Sequence, residues 1–223
     1  MKKVGPRPLD GITVVSLEHA IAAPFCTRQL ADNGARVIKV ERPGVGDFAR
    51  KYDERTRGMA SHFVWTNRSK ESLTLDLKHE DAGPILNELL AETDVLVQNL
   101  APGAAARMGL SFEALHKRFP RLIVCDISGY GEGGPYETKK AYDLLIQSES
   151  GFISVTGSPD APAKAGCSIA DIAAGSYAYS SILNALLLRH KTGLGSHLDV
   201  SMLESMVEWM SFPLYYAFEG QSP

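Results

Sequence analysis

One carboxylate, Asp171, stands near the front of a run of small and apolar residues, Ile169 to Arg189, within KAGCSIADIAAGSYAYSSILNALLLRHKTG (164–193). The run has an amphipathic helical rhythm, and helix physics gives the charge two readings. If Ser168 is the N-cap, Asp171 is the third helical residue, where a carboxylate completes a capping box and complements the helix dipole. The same dipole and amides would hold the carboxylate ionised in an apolar place. An ionised carboxylate can attack an activated carbonyl. Its small neighbours Ala170, Ala173, Ala174 and Gly175 would then leave room for a bulky substrate.

Other chemistry finds less support. GYGEGG (129–134) matches the dinucleotide fingerprint and follows a strand, and Glu149 lies about 20 residues on, where a ribose ligand is sought. The fingerprint needs a helix to open at its last glycine, however, and here Pro135 begins a turning segment. A glycine-rich loop after a strand remains a reasonable place for a ligand. The six histidines (His19, His62, His79, His116, His190, His197) show no metal-ligand spacing, and no metal site is expected. There is neither a G-x-S-x-G elbow nor a phosphate-binding G-x-x-x-x-G-K-[ST] loop.

The elements that must position these residues alternate. ITVVSL (12–17), ARVIKVE (35–41), SLTLDL (72–77), DVLVQNL (94–100) and LIVCDIS (122–128) read as strands. APFCTRQLADNG (23–34), 81–92 and SFEALHKRF (111–119) read as helices. Pro24 suits a first turn and Gly34 a C-terminal cap. RPGVGDFARKYDERTRGMASHF and APGAAARMGL read as loops. The alternation predicts an α/β fold, Rossmann-like, with a mostly parallel sheet and flanking helices. After Gly129 strands are expected to stop. Helices follow at about 141–150 and 169–189, then HLDVSM and an aromatic tail.

The bulk numbers narrow the class. The chain has 223 residues, 44% hydrophobic and 22% charged, with a net charge of −3, which argues against general nucleic-acid or membrane binding. No apolar run reaches the ~18 residues of a membrane span. MKKVGPRPLDG lacks the apolar core of a signal peptide. Cys26, Cys125 and Cys167 are odd in number and far apart, which argues against a disulfide framework or zinc site. A reducing, cytoplasmic setting is expected.

Five stretches together resemble the class III CoA-transferase family, the CaiB/BaiF type, typified by formyl-CoA and carnitine CoA-transferases. They are PLDGITVVSLEHAIAAPFCTRQLADNGARVIKVERPGVGD, NRSKESLTLDLK, DVLVQNLAPGAAARMGL, ISGYGEGGPY and RHKTGLGSHLDVSMLESM. They occur in family order over nearly the whole chain. Family members are nearly twice as long, so the resemblance implies the N-terminal part of that fold, with the second domain largely absent. It implies one large domain over 1–223: an α/β CoA-binding part at about 8–160 and a nucleophile-bearing helical part at about 161–223.

The resemblance implies that Asp171 is the catalytic aspartate, attacking an acyl-CoA thioester to give a mixed anhydride and then an aspartyl-CoA thioester. Coenzyme A enters as a substrate and no permanently bound cofactor is implied. The implied CoA contacts are His19, Ile21, Ala22, Arg42, Leu75, Lys78, Asn99, Leu100, Ala101, Arg107, Lys140, Tyr142 and Asp143, with Arg42, Lys78, Arg107 and Lys140 meeting phosphates. The family also holds α-methylacyl-CoA racemases, which keep a histidine where this chain has Tyr142. Tyrosine, with a reference pKa near 10, is a poor base at neutral pH, which favours transfer. A truncated, non-catalytic CoA-binding domain is the other alternative. The implied partners are an acyl-CoA and a small carboxylic acid, such as a short dicarboxylate. A homodimer is also implied, interlocked in the family, and MVEWMSFPLYYAF is an apolar surface that a partner would cover.

Overall fold

Buried apolar runs become the central strands. In the computed structural model, which describes residues 5–220, β1 is Thr13–Leu17, followed by α1 (Ala22–Asp32), β2 (Arg36–Glu41), α2 (Ser61–Asn67), β3 (Glu71–Thr74) and α3 (Ala82–Ala91). Next come β4 (Val95–Gln98), α4 (Ala104–Arg107), α5 (Phe112–Arg118), β5 (Ile123–Ser128), α6 (Asp143–Glu149) and the short pair β6 (Gly157–Ser158) and β7 (Ala161–Pro162). The chain continues through α7 (Ile169–Thr192), β8 (His197–Ser201), α8 (Met202–Trp209) and α9 (Ser211–Tyr216). Six strands form one sheet in the order β3-β2-β1-β4-β5-β8, every pair parallel. Strand order reverses between β1 and β4, which opens a crevice at their carboxyl ends.

The sheet is covered on both sides, as parallel sheets require. Val14, Val37, Val95, Val97, Ile123 and Cys125 face α1, α7 and α8. Val15, Leu17, Ile38, Val40, Leu96 and Val124 face Leu86, Leu90 and Leu115 of α3 and α5. Alternation along each strand assigns these sides.

β8 corrects the expectation that strands stop after Gly129. It pairs with β5 from Val124–His197 to Ser128–Ser201, so the segment expected as helical, 161–223, also supplies an edge strand. Only Leu198 and Val200 of β8 join the core. His197, Asp199 and Ser201 alternate to the other face, so the segment lacks the continuous apolar run of an interior strand. The two segments read as loops carry α2, a 3-10 turn at Phe48–Lys51, and α4. Among the described residues no helix is long and apolar enough to cross a membrane.

Small residues bring α7 onto α1. Ala170, Ala173, Ala174 and Gly175 are buried. A Cβ on Gly175 would lie 2.6 Å from the Ala22 carbonyl oxygen and 2.9 Å from the Phe25 ring. These residues therefore permit a close helix crossing, and the space expected for a substrate is filled by α1. At its far end α7 stops at Gly193, in the left-handed region (φ 77°) that favours glycine. There Arg189, 8% exposed, donates to Asp94 Oδ1 at 2.8 Å and to the Arg121 carbonyl at 3.3 Å.

Candidate active site

The crevice between β1 and β4 is built by the turn that leaves β1. His19 and Asn99 lock across it. The His19 amide donates to Asn99 Oδ1 at 3.0 Å, and Asn99 Nδ2 donates to the His19 carbonyl at 2.9 Å. Ala20 takes φ 63°, an uncommon conformation for a residue with a Cβ, and its amide donates to Asp47 Oδ1 at 3.1 Å. The turn delivers Ile21 and Ala22 to the start of α1, directly beside the start of α7.

Asp171 lies where these two helix N-termini converge. The Ser168 hydroxyl makes no capping hydrogen bond, so the capping box expected there is absent. Asp143, at the start of α6, does the capping. Its Oδ1 accepts from the Ala170 amide at 2.8 Å and the Asp171 amide at 3.4 Å, and its Oδ2 accepts from Gln147 Nε2 at 2.6 Å. The Asp171 side chain is thereby released from capping. Burial, then the Asp143 carboxylate, push the Asp171 pKa up to about 7, against a lowering by the Ala22 amide. The expectation that the helix terminus keeps Asp171 fully ionised is overturned: desolvation and a like charge outweigh the amide. Tyr52 belongs to the same group. Burial first, then Asp47 and Asp171, push its phenol up to about 12.

The residues singled out from the sequence fall into three sets. Asp171, Asp143, Ala22 and Tyr142 lie together at the converging helix starts, with Tyr142 exposed. His19, Asn99 and Arg42 line the crevice. Burial holds the His19 imidazole below its usual pKa, and its ring packs 4.9 Å from Phe48. Lys78, Ala101, Arg107 and Lys140 are exposed. Among the described residues Arg42, Lys78, Arg107 and Lys140 form no ion pair with a carboxylate, unlike Lys39, Arg50 and Lys70. Ile21 is buried, and the side chains of Leu75 and Leu100 pack into the α3/α5 core, so these three can meet a ligand chiefly through their backbones.

Sequence reasoning missed the charges beneath the turn. Glu18 and Lys39 are buried. Lys70 Nζ donates to Glu18 Oε1 at 2.7 Å and Thr27 Oγ1 to Glu18 Oε2 at 2.7 Å, while Lys39 Nζ donates to Asp47 Oδ2 at 2.6 Å. A signal existed: Lys39 interrupts the apolar run RVIKVE, and a buried lysine needs a partner. Asp47 and Tyr52 lay within a segment read only as polar loop.

With this geometry in place, comparison decides the family. The family model described as CoA-transferase family III matches residues 9–223. The chain belongs to CoA-transferase family III. This family III chain is 39% identical to the acetyl-CoA:oxalate CoA-transferase of Acetobacter aceti over 219 residues, 97% of the chain and 56% of that protein. It is 38% identical to the human succinyl-CoA:glutarate CoA-transferase over 207 residues, 92% of the chain and 47% of that protein. A CaiB/BaiF family protein from Brucella suis superposes with a TM-score of 0.92 at 37% identity, over 98% of the chain and 60% of that protein. The chain thus spans about half the length of the curated relatives it matches.

Proposed function

We propose that this chain carries the CoA-binding and nucleophile-bearing part of an enzyme that moves coenzyme A from an acyl-CoA to a small carboxylic acid, with Asp171 as nucleophile. The observation that carries the reading is the Asp171 carboxylate itself. It is freed from capping by Asp143 and stands where the starts of α1 and α7 converge. Its raised pKa leaves part of it ionised near neutrality, with more basicity than an ordinary carboxylate.

In this mechanism Asp171 attacks the thioester carbonyl, and the C–S bond breaks to release CoA thiolate and leave a mixed anhydride. The thiolate attacks the aspartyl carbonyl, expels the donor acid as its carboxylate and forms an aspartyl-CoA thioester. The acceptor carboxylate attacks that thioester, giving a second anhydride and thiolate. The thiolate then takes the acceptor's acyl group and Asp171 returns as a carboxylate. Each step exchanges one carbonyl bond for another and needs no external oxidant or base. Arg42, Lys78, Arg107 and Lys140 supply cations for the phosphates. Relatives that act on oxalate and glutarate support a short dicarboxylate as acceptor. A homodimer is part of the proposal, supported by Phe212, Tyr215 and Phe218, at least 74% exposed.

The test is trapping. Incubation with an acyl-CoA, then hydroxylamine, is expected to place a hydroxamate on Asp171, located by peptide mass. Absence of label on Asp171 while CoA exchange proceeds would overturn the reading. Exchange run in deuterated water is expected to leave the α-carbon proton in place; its loss would instead favour a racemase.

A further inference from the structure

We propose that Glu18, Lys39, Asp47 and Lys70 are positioning residues, a buried charge network that fixes the turn after β1 and thereby seats the start of α1 against the start of α7, where Asp171 stands. The proposal rests on the reading of Asp171 as nucleophile. None of the four touches Asp171 through a hydrogen bond. All four converge on the four residues that separate β1 from Ala22.

The turn is held at three consecutive residues by three different groups. The Glu18 side chain is fixed by Lys70 and Thr27, both at 2.7 Å. His19 is fixed through its backbone by Asn99. Ala20 is fixed by Asp47 Oδ1, which also accepts from the Ala49 amide at 2.9 Å. Two lysines then join these anchors. Lys39 Nζ lies 2.6 Å from Asp47 and 3.8 Å from Glu18. Asn67 Oδ1 accepts from Lys39 at 2.8 Å and from Lys70 at 3.2 Å. Lys70 also donates to the Pro24 carbonyl at 3.0 Å, inside the first turn of α1. The network therefore grips the chain on both sides of Ala22.

A packing role alone does not account for this arrangement. A methionine or leucine could fill the same volume without desolvating four charges, and such replacements are often neutral or stabilising. What charges add is directional geometry. The Ala20 backbone, at φ 63°, persists only where its surroundings over-determine it. Asp47 supplies that constraint through an amide two residues before Ala22. A displacement of about 1 Å at a reacting group costs on the order of a hundredfold in rate, so a helix start packed beside a reacting group is worth a rigid mount.

The experiment compares three proteins against wild type. Both Asp47 variants carry Lys39→Met, so that no ammonium is left unpaired. On that background Asp47→Asn keeps an acceptor oxygen for the Ala20 amide and Asp47→Ala removes it. Glu18→Gln combined with Lys70→Met removes a charge pair without leaving either charge unpaired. The first readout is the ionisation of Asp171, followed by carboxyl carbon NMR, with the signal assigned by its absence from Asp171→Asn. The second is the single-turnover rate of Asp171 labelling by acyl-CoA, with the KM for acyl-CoA measured alongside.

Asp47→Ala and the Glu18–Lys70 double variant are expected to shift the Asp171 pKa, because the start of α1 that packs beside it is no longer held in place. They should slow labelling about tenfold or more, with KM changed much less. Asp47→Asn should restore the wild-type pKa and stay within about threefold of its labelling rate. Folding is checked by the thermal transition of each variant. The NMR readout needs no turnover, so it judges the network even if Asp171 is never labelled. An Asp171 pKa unchanged in both Asp47→Ala and the double variant, each folded, would overturn the proposal. So would equal damage from Asp47→Asn and Asp47→Ala. Wild type whose Asp171 is never labelled would instead overturn the nucleophile reading.

Discussion

Glu18 and Asp171 are both carboxylates withdrawn from water beside α1, and their protons behave in opposite ways. Burial pushes Glu18 upward, yet Lys70, Lys39 and two side-chain hydrogen bonds outweigh it and leave its pKa below the usual carboxylate range. Burial pushes Asp171 upward too, but its nearest charge is Asp143, and a single amide opposes them. The difference teaches that burial alone does not make a reactive carboxylate. The partner decides whether the buried charge is structural or available.

The largest test removes the available one. Asp171→Ala is expected to lower CoA exchange by about 10⁴-fold or more, as loss of a covalent nucleophile does. A variant that still exchanges CoA at the wild-type rate would end the contrast. Removing the partner of the structural one acts on folding instead. Lys70→Met strands the Glu18 charge and is expected to cost about 3–5 kcal/mol in urea unfolding. A loss below about 1 kcal/mol would show that Glu18 does not depend on its lysine.

The third test turns the sign around. Asp171 binds its proton more tightly folded than unfolded, so it subtracts stability as pH climbs from about 4 to about 7. Asp171→Asn should therefore stabilise the protein at pH 8 by about 1–4 kcal/mol and bring no gain near pH 4. The thermal transition at both pH values checks this, and equal stability of variant and wild type at pH 8 would refute it. Smaller again is Arg42→Ala, expected to weaken CoA binding about tenfold or more by calorimetry, the value of a charge-assisted contact. Unchanged affinity would remove Arg42 from the CoA contacts. The smallest effect is Asp143→Asn. Without the like charge, the acid limb of Asp171 labelling should move down by about one pH unit. No movement would make burial the whole cause.

Much of this contrast lay within reach of the sequence. β1, β2, β4 and β5 carry largely apolar runs because both faces are covered, and the run from Ile169 to Arg189 shows one long helix with Asp171 at its head. What escaped was non-local. The cap of α7 comes from Asp143, 28 residues earlier, so local spacing pointed to Ser168 instead. The small residues Ala173, Ala174 and Gly175 are equally consistent with open space and with a close neighbour, and only the path of α1 decides. β8 hid because its outer face is polar. Glu18 and Lys70, 52 residues apart, meet only after β1 and β3 enter one sheet.

The anchor at the far end of α7 has a mechanical consequence. Eighteen residues separate Asp171 from Arg189, about 27 Å along a helix rising 1.5 Å per residue. Arg189 is clamped to Asp94 and Arg121, just before β4 and β5, so the helix is anchored at the amino ends of the two strands, opposite the end where Asp171 stands. Over that length a tilt of only about 2° at the anchor corresponds to about 1 Å at the Asp171 carboxylate. The side chain that anchors this helix therefore stands five helical turns behind Asp171.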